Sequence, residues 1–182
     1  ASRAVLITDR LMAGADTRAT ARALASAAEK LGTFDAVFCG CKAIDGETGQ
    51  VPGELAAALG LPCISNAEEV ETAGDELLVA RRLEDGVQNL TVSGSAVISF
   101  SSYSYPLRLA GILGMRRARK TPVEILTAAD LGLTPEDCGL KGSLTKVVAM
   151  ESRFPGLRRG SKETDLDTGV RNLCELLREV RP

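Results

Sequence analysis

The residues best suited to chemistry in this chain lie together between Gly40 and Val51, in the order Gly40, Cys41, Lys42, Ala43, Ile44, Asp45, Gly46, Glu47, Thr48, Gly49, Gln50 and Val51. Gly46 and Gly49 let a backbone approach a ligand closely. Thr48 offers a hydroxyl and Gln50 an amide. Before them, Ala36-Val37-Phe38-Cys39 is a short apolar run of strand type, and after them a helical segment runs to Gly60. In α/β sheets ligands sit at the carboxyl ends of strands, and the first amides of the following helix have no intrahelical partner, so a phosphate is the natural occupant. Asp45 and Glu47 oppose this, because carboxylates repel a phosphate unless they point away from it. Asp45 is therefore assigned to a ribose hydroxyl, an adenine amine or the loop's own amides. A plain turn and helix cap in an α/β sandwich would use the same residue types.

Periodicity supplies the elements that must position this loop. Ala4-Val5-Leu6-Ile7 is an apolar run of the buried parallel-strand kind. Asp16 can cap a helix with apolar Ala19, Leu24, Ala27, Ala28 and Leu31 before Gly32 stops it. A strand over 36–39 and a helix near 49–59, with Pro52 at its tolerant start, complete a β-α-β-α series. Between about 64 and 100 short strands take over. The segments 76–83 and 87–92 bracket Glu84-Asp85-Gly86, whose Asp-Gly pair signals a hairpin. Ala96 to Phe100 then returns as a core strand. The expected fold class is α/β, a three-layer αβα nucleotide-binding plan with a Rossmann-like parallel sheet, a β-hairpin insertion and a C-terminal arm. The expected division is an α/β domain over 1–150 and an arm with a helix over 151–182.

Composition narrows the chemistry further. At 182 residues the chain can bury roughly 70% of its unfolded surface as one domain. Its 45% apolar content includes no Trp, two Tyr and four Phe, which suits small-residue helices on a buried sheet better than base-stacking platforms. A net charge of -2 gives no basic field for a nucleic acid. No apolar run is long enough for a membrane span or a signal peptide. The complete lack of histidine removes Ser-His and Cys-His hydrolysis and the usual neutral-pH proton shuttle. Five scattered cysteines, at 39, 41, 63, 138 and 174, make a poor zinc set without a second pair or a histidine, and suit a reducing, cytoplasmic setting. The chain reads as a holder of a cofactor, with no catalytic residue and no metal site.

The segment from Lys42 to Pro62, KAIDGETGQVPGELAAALGLP, resembles the signature region of the electron transfer flavoprotein β subunit family, FixA-like members included. Leu6-Ile7-Thr8-Asp9-Arg10 with Ala13-Gly14-Ala15-Asp16-Thr17, then Asp35 to Gly40, Lys120 to Glu124 and Ala129 to Leu133 are similar to further family segments, so the likeness covers nearly the whole chain. The resemblance implies that the 40–51 loop grips an adenine nucleotide, AMP or FAD. It implies a heterodimer with an α subunit that carries the working flavin, and exchange of electrons with dehydrogenases. Family chains start with an additional strand-helix-strand unit near the adenine. The likeness begins roughly at the family's third element, so that unit is expected to be missing here.

Two further stretches gain a role from the likeness. After Ser101-Ser102-Tyr103-Ser104-Tyr105-Pro106, an apolar helix from Leu107 to Met115 leads to four cations among Arg116-Arg117-Ala118-Arg119-Lys120. Those charges suit a helix C-terminus. The family likeness makes the region a docking loop for dehydrogenase partners, with Leu107, Leu109, Ile112, Leu113 and Met115 as its apolar contacts. The stretch 151–163 reads as an arm, and Leu166, Val170, Leu173, Leu176, Leu177 and Val180 fall at helical spacing beyond it. The likeness has that arm and helix embrace the α subunit. From spacing alone, packing on its own core is equally open. The competing function is a stand-alone ATP- or AMP-binding regulator of the universal-stress-protein type, which shares the layered α/β plan.

Overall fold

The structure, a computed structural model, describes residues 3–101, 104–149, 151 and 162–179. Ser102, Tyr103, residues 152–161 of the expected arm and Val180 therefore lie outside the described residues. The chain divides into two units, Ala1–Lys146 and Val147–Pro182.

The first unit begins with β1 (Val5–Ile7), followed by α1 (Thr17–Leu31). The Asp16 carboxylate accepts from the Ala19 amide at 2.9 Å, capping α1, and Gly32 ends the helix at φ 119. Ala19, Ala21, Ala23, Ala25 and Ala27 are its buried residues. Small side chains on more than one face let neighbours approach α1 closely. Next come β2 (Ala36–Gly40) and α2 (Val51–Leu59), a helix that closes on Gly60 in the left-handed region, with the Leu61 amide reaching back to the Ala56 carbonyl. Ala21 and Ala25 of α1 pack with Leu55 of α2 against Val37 and Cys39 of β2.

Four strands follow: β3 (Cys63–Ala73), β4 (Glu76–Leu83), β5 (Gly86–Ser93) and β6 (Ala96–Phe100). They join β2 in a five-stranded sheet of order β2-β6-β3-β4-β5. The expected parallel core with an added β-hairpin is corrected to one continuous mixed sheet, in which the antiparallel strands extend the same sheet. Only β2-β6 and β6-β3 run parallel, whereas β3-β4 and β4-β5 are antiparallel. Two-residue turns at 74–75 and 84–85 force this, because a strand re-entering after two residues can only run back along its neighbour. The expected hairpin is present, but its loop is Glu84-Asp85 and Gly86 already starts β5. β3, at 11 residues, is a long strand where short ones were expected, and it serves both halves of the sheet. An irregularity between Ile64 and Ala67, with Asn66 at φ 58, lets it change partner from β6 to β4. Ile64, Ala67, Val79, Ala96 and Ile98 form the larger buried cluster, flanked by Val70, Leu77, Leu90, Val92 and Phe100.

β1 does not join that sheet. It pairs in parallel with β7 (Glu124–Leu126), a strand that carries no clear sequence signal, to make a separate two-stranded sheet. Two short helices complete the unit, α3 (Ile112–Ala118) and α4 (Gly139–Gly142). The expected helix from Leu107 is shortened, since residues 106–111 are irregular and Gly111 serves as the N-cap. In the second unit α5 runs over Leu166–Glu179, and the Asp165 carboxylate accepts from the Thr168 amide at 2.9 Å ahead of it.

Candidate functional site

Gly40 is the last residue of β2, and eleven residues later Val51 is the first of α2. The loop between them folds on itself. The Glu47 amide donates to the Ala43 carbonyl at 3.0 Å, and Gly49 sits at φ 64, where a Cβ would meet the Cys41 carbonyl oxygen at 3.4 Å. Glu47 itself takes φ 51, unusual for a residue with a side chain. Residues 42–50 are exposed, and Ile44 at the apex is 96% exposed. A Cβ on Gly46 would meet nothing within 4 Å, so the space a ligand needs is open there.

The two acidic side chains are occupied within the loop. Asp45 Oδ1 accepts from the Gly46 amide at 2.8 Å, one of the three roles considered for it. Glu47 Oε1 lies 3.2 Å from Lys42 Nζ, an exposed pair. Such a pair is worth little and changes partner easily. Thr48 is exposed, and its hydroxyl has no hydrogen bond among the described residues. Gln50 is the N-cap residue of α2 but makes no side-chain cap bond. Its Oε1 instead lies 3.1 Å from the Thr17 hydroxyl at the start of α1, which is also 3.2 Å from Glu54 Oε1. The loop's exit is thus tied to the first turn of α1.

The first intrahelical bond of α2 runs from the Glu54 amide to the Gln50 carbonyl at 3.1 Å. Pro52 has no amide hydrogen, so Val51 and Gly53 are the first-turn donors left for an outside acceptor. Glu54 lies in that same turn. Its Oε2 is a buried oxygen without a hydrogen-bond partner among the described residues. Sequence reasoning gave no separate role to Thr17 or Glu54. Only a helix start placed beside another helix start brings them to the loop, and no local signal encodes that.

The loop following β6 forms a second neighbourhood. Ser104 Oγ donates to the Ala67 carbonyl at 3.0 Å, and the Tyr105 hydroxyl accepts from the Val70 amide at 3.0 Å. Phe38, Phe100 and Tyr105 stack edge to face, with ring centroids 5.1 and 5.7 Å apart in successive pairs. This fixes the root of the following segment on β3. Leu107, Leu109, Ile112, Leu113 and Met115 then stand 85%, 86%, 71%, 68% and 47% exposed. α3 has no buried residue, and Arg116 and Arg117 occupy its last turn. In the second unit Leu166, Val170, Leu173, Leu176 and Leu177 of α5 are also exposed. Among the described residues no three His, Cys, Asp or Glu side chains gather as a metal set, and no helix is long and apolar enough to cross a membrane.

A loop that leaves a parallel strand and feeds a helix N-terminus is the arrangement with which mixed α/β proteins present donors to anionic ligands. Residues 1–131 match a family model described as the electron transfer flavoprotein domain. The chain is 42% identical to an electron transfer flavoprotein subunit beta of Thermoanaerobacterium thermosaccharolyticum, over 97% of this chain and 68% of that protein. It is 34% identical to the caffeyl-CoA reductase-Etf complex subunit CarD of Acetobacterium woodii, over 81% of this chain and 56% of that one. It is 39% identical to protein FixA of Azorhizobium caulinodans, over 92% of this chain and 61% of that one. The chain belongs to the electron transfer flavoprotein family and is of its β-subunit type. It spans between about half and two thirds of the length of these relatives. The stress-protein alternative gains no support from these matches.

Proposed function

We propose that this chain holds an adenine nucleotide, AMP or FAD, on the Gly40–Val51 loop, and pairs with an FAD-carrying α subunit to move electrons between dehydrogenases and an acceptor. The observation that carries this reading is the loop's own geometry. Asp45 and Glu47 are spent on the Gly46 amide and on Lys42, while Thr48 and the amides of Val51 and Gly53 remain as donors at one exposed place. The residues fit an anionic group. Lys42 can exchange Glu47 for a phosphate at small cost because their pair is exposed. Gly46 leaves room, and Gly49 keeps the loop closed in a conformation other residues resist.

A flavin, when bound, supplies the electron acceptance that no amino-acid side chain here provides. The chain's own contribution is binding and orientation. Thr48 and the α2 amides orient a phosphate, and the tie from Gln50 to Thr17 keeps the loop's exit fixed against α1. Leu107, Leu109, Ile112, Leu113 and Met115 offer an apolar surface to a dehydrogenase, with the cations 116–120 beside it for an acidic rim. With no histidine in the chain, this reading assigns it no bond chemistry of its own and makes it a carrier subunit.

The test is nucleotide retention. Thr48→Val removes a donor worth about 1.5–3 kcal/mol toward a charged acceptor. Gly49→Val forces a β-branched residue into the left-handed region against the Cys41 carbonyl. Both variants of the assembled heterodimer should lose bound nucleotide, measured by mass spectrometry after denaturation. Wild-type occupancy in both would reject the loop as the nucleotide site.

A further inference from the structure

The Thr17 hydroxyl, at the start of α1, lies 3.1 Å from Gln50 Oε1 and 3.2 Å from Glu54 Oε1 at the start of α2. Both neighbours present acceptors to it, and a hydroxyl has one proton to give. The carboxylate has the stronger claim, because charge-assisted hydrogen bonds are roughly twice as strong as neutral ones. Its other oxygen, Oε2, is buried with no partner among the described residues, so Thr17 is the one side-chain donor it has there. With the proton on Glu54, the Thr17 oxygen can only accept from Gln50. A half turn of the Gln50 amide meets this demand, since it exchanges the oxygen for the NH2 group at the same place. The chain of hydrogen bonds then runs in one direction, from Gln50 through Thr17 to Glu54. Gln50 is exposed, so the amide oxygen turned away from Thr17 is open to a ligand.

We infer that Glu54, acting through Thr17, is a positioning residue that holds the Gln50 carbonyl oxygen outward as an acceptor for a sugar hydroxyl of the bound nucleotide. The inference rests on the proposed nucleotide site and divides the work within it. Thr48 and the Val51 and Gly53 amides are donors, suited to the oxygens of a phosphate. An outward carbonyl oxygen repels those oxygens and calls for a ligand O–H. Asp45, the other residue considered for a ribose hydroxyl, has Oδ1 on the Gly46 amide. A ribonucleotide brings phosphate and hydroxyl in one molecule, and AMP and FAD both qualify.

The experiment takes the heterodimer freed of nucleotide and titrates it calorimetrically with AMP, 2′-deoxy-AMP and 3′-deoxy-AMP. The wild type should bind AMP about tenfold more tightly than one of the two deoxy forms, the scale of one hydrogen bond whose acceptor is left unpaired. Thr17→Val breaks the chain of hydrogen bonds. Glu54→Gln offers an NH2 group to Thr17 and lets the hydroxyl proton return to Gln50, which reverses the chain. In both variants AMP and its deoxy forms should bind alike. A second readout needs no nucleotide. The chain has two glutamines, Gln50 and Gln88, and Gln88 Oε1 accepts from Arg81 Nε at 2.8 Å, which makes its NH2 group an internal reference. With the side-chain amides of this chain isotope-labelled for NMR, the Gln50 NH2 should exchange with water more slowly than that of Gln88, and Thr17→Val should remove the difference. Equal binding of all three nucleotides by the wild type overturns the inference. So does a preference for AMP that survives in both variants, or a wild-type Gln50 NH2 that exchanges as freely as that of Gln88. A wild-type heterodimer that binds none of the three defeats the proposed nucleotide site itself, a result distinct from binding all of them alike.

Discussion

Glu47 and Asp16 are acidic residues whose surroundings assign them opposite duties. Glu47 stands in the left-handed region at the open end of a loop, and its carboxylate pairs with Lys42. Asp16 is held from two sides. Burial pushes its carboxyl up, but the hydrogen bonds from the Ala19 amide, from the Thr145 amide and hydroxyl and from the Leu144 amide outweigh this and lower it to about 2. Because the folded value lies below the unfolded one of about 3.9, its contribution to stability is complete above pH 4 and is lost as pH falls toward 2. Asp16→Ala should therefore cost about 1–2 kcal/mol at neutral pH, and the variant and wild type should converge in stability as pH falls through that window, read by denaturant unfolding at a series of pH values. A difference that stays constant down to pH 2 contradicts the assignment. The residue-level reading of the loop was largely legible because glycine, hydroxyl and acid types declare their local uses. Asp45's turn onto the Gly46 amide was one of three roles left open, and only coordinates choose among them.

Among the elements, the strands and helices with strong local signals fall where the sequence places them. Asp16 and Gly32 bracket α1, Gly60 ends α2, and the turn at 84–85 makes a hairpin. What was not legible depends on partners distant in sequence. Nothing in the run 63–73 tells that β3 pairs with β6 as far as Ala67 and from there continues alongside β4. Nothing in Glu124-Ile125-Leu126 tells that it pairs with β1 across more than a hundred residues. The expected parallel core is present in β2-β6-β3, and the sheet is mixed because the two-residue turns at 74–75 and 84–85 carry it on through antiparallel strands. The expected helix at 107 failed because residues 106–111 bury nothing, and a short exposed segment with Pro106 and Gly111 gains too little from helical bonds to nucleate one. That exposed segment yields a prediction. Leu109→Asp and Leu113→Asp should leave the melting temperature within about 2 °C of wild type, since solvent already surrounds both side chains. They should slow reduction of the heterodimer by a dehydrogenase through a raised KM. Unaltered kinetics in both would remove this segment from the docking surface.

At the scale of the molecule, apolar surface is left open at several places. Leu6 and Ile125 pair across the β1-β7 sheet with 49% and 59% exposure, Phe38 is 59% exposed beside the β2 edge, and α5 exposes a leucine face. Exposed apolar patches with unpaired strand edges mark surfaces that associate. The isolated chain should therefore self-associate in light scattering at micromolar concentration and become a defined heterodimer when an α subunit is added. A stable, inert monomer would count against a β-type role. The most direct test of the central claim is cofactor analysis of this chain purified with and without an α subunit, by visible spectrum and by mass spectrometry of released nucleotide. The account predicts a colourless or weakly yellow chain alone, and a heterodimer with one adenine nucleotide per chain, lost in Gly49→Val, beside the flavin brought by the α subunit. A heterodimer that forms and accepts electrons with no adenine nucleotide on this chain would contradict it.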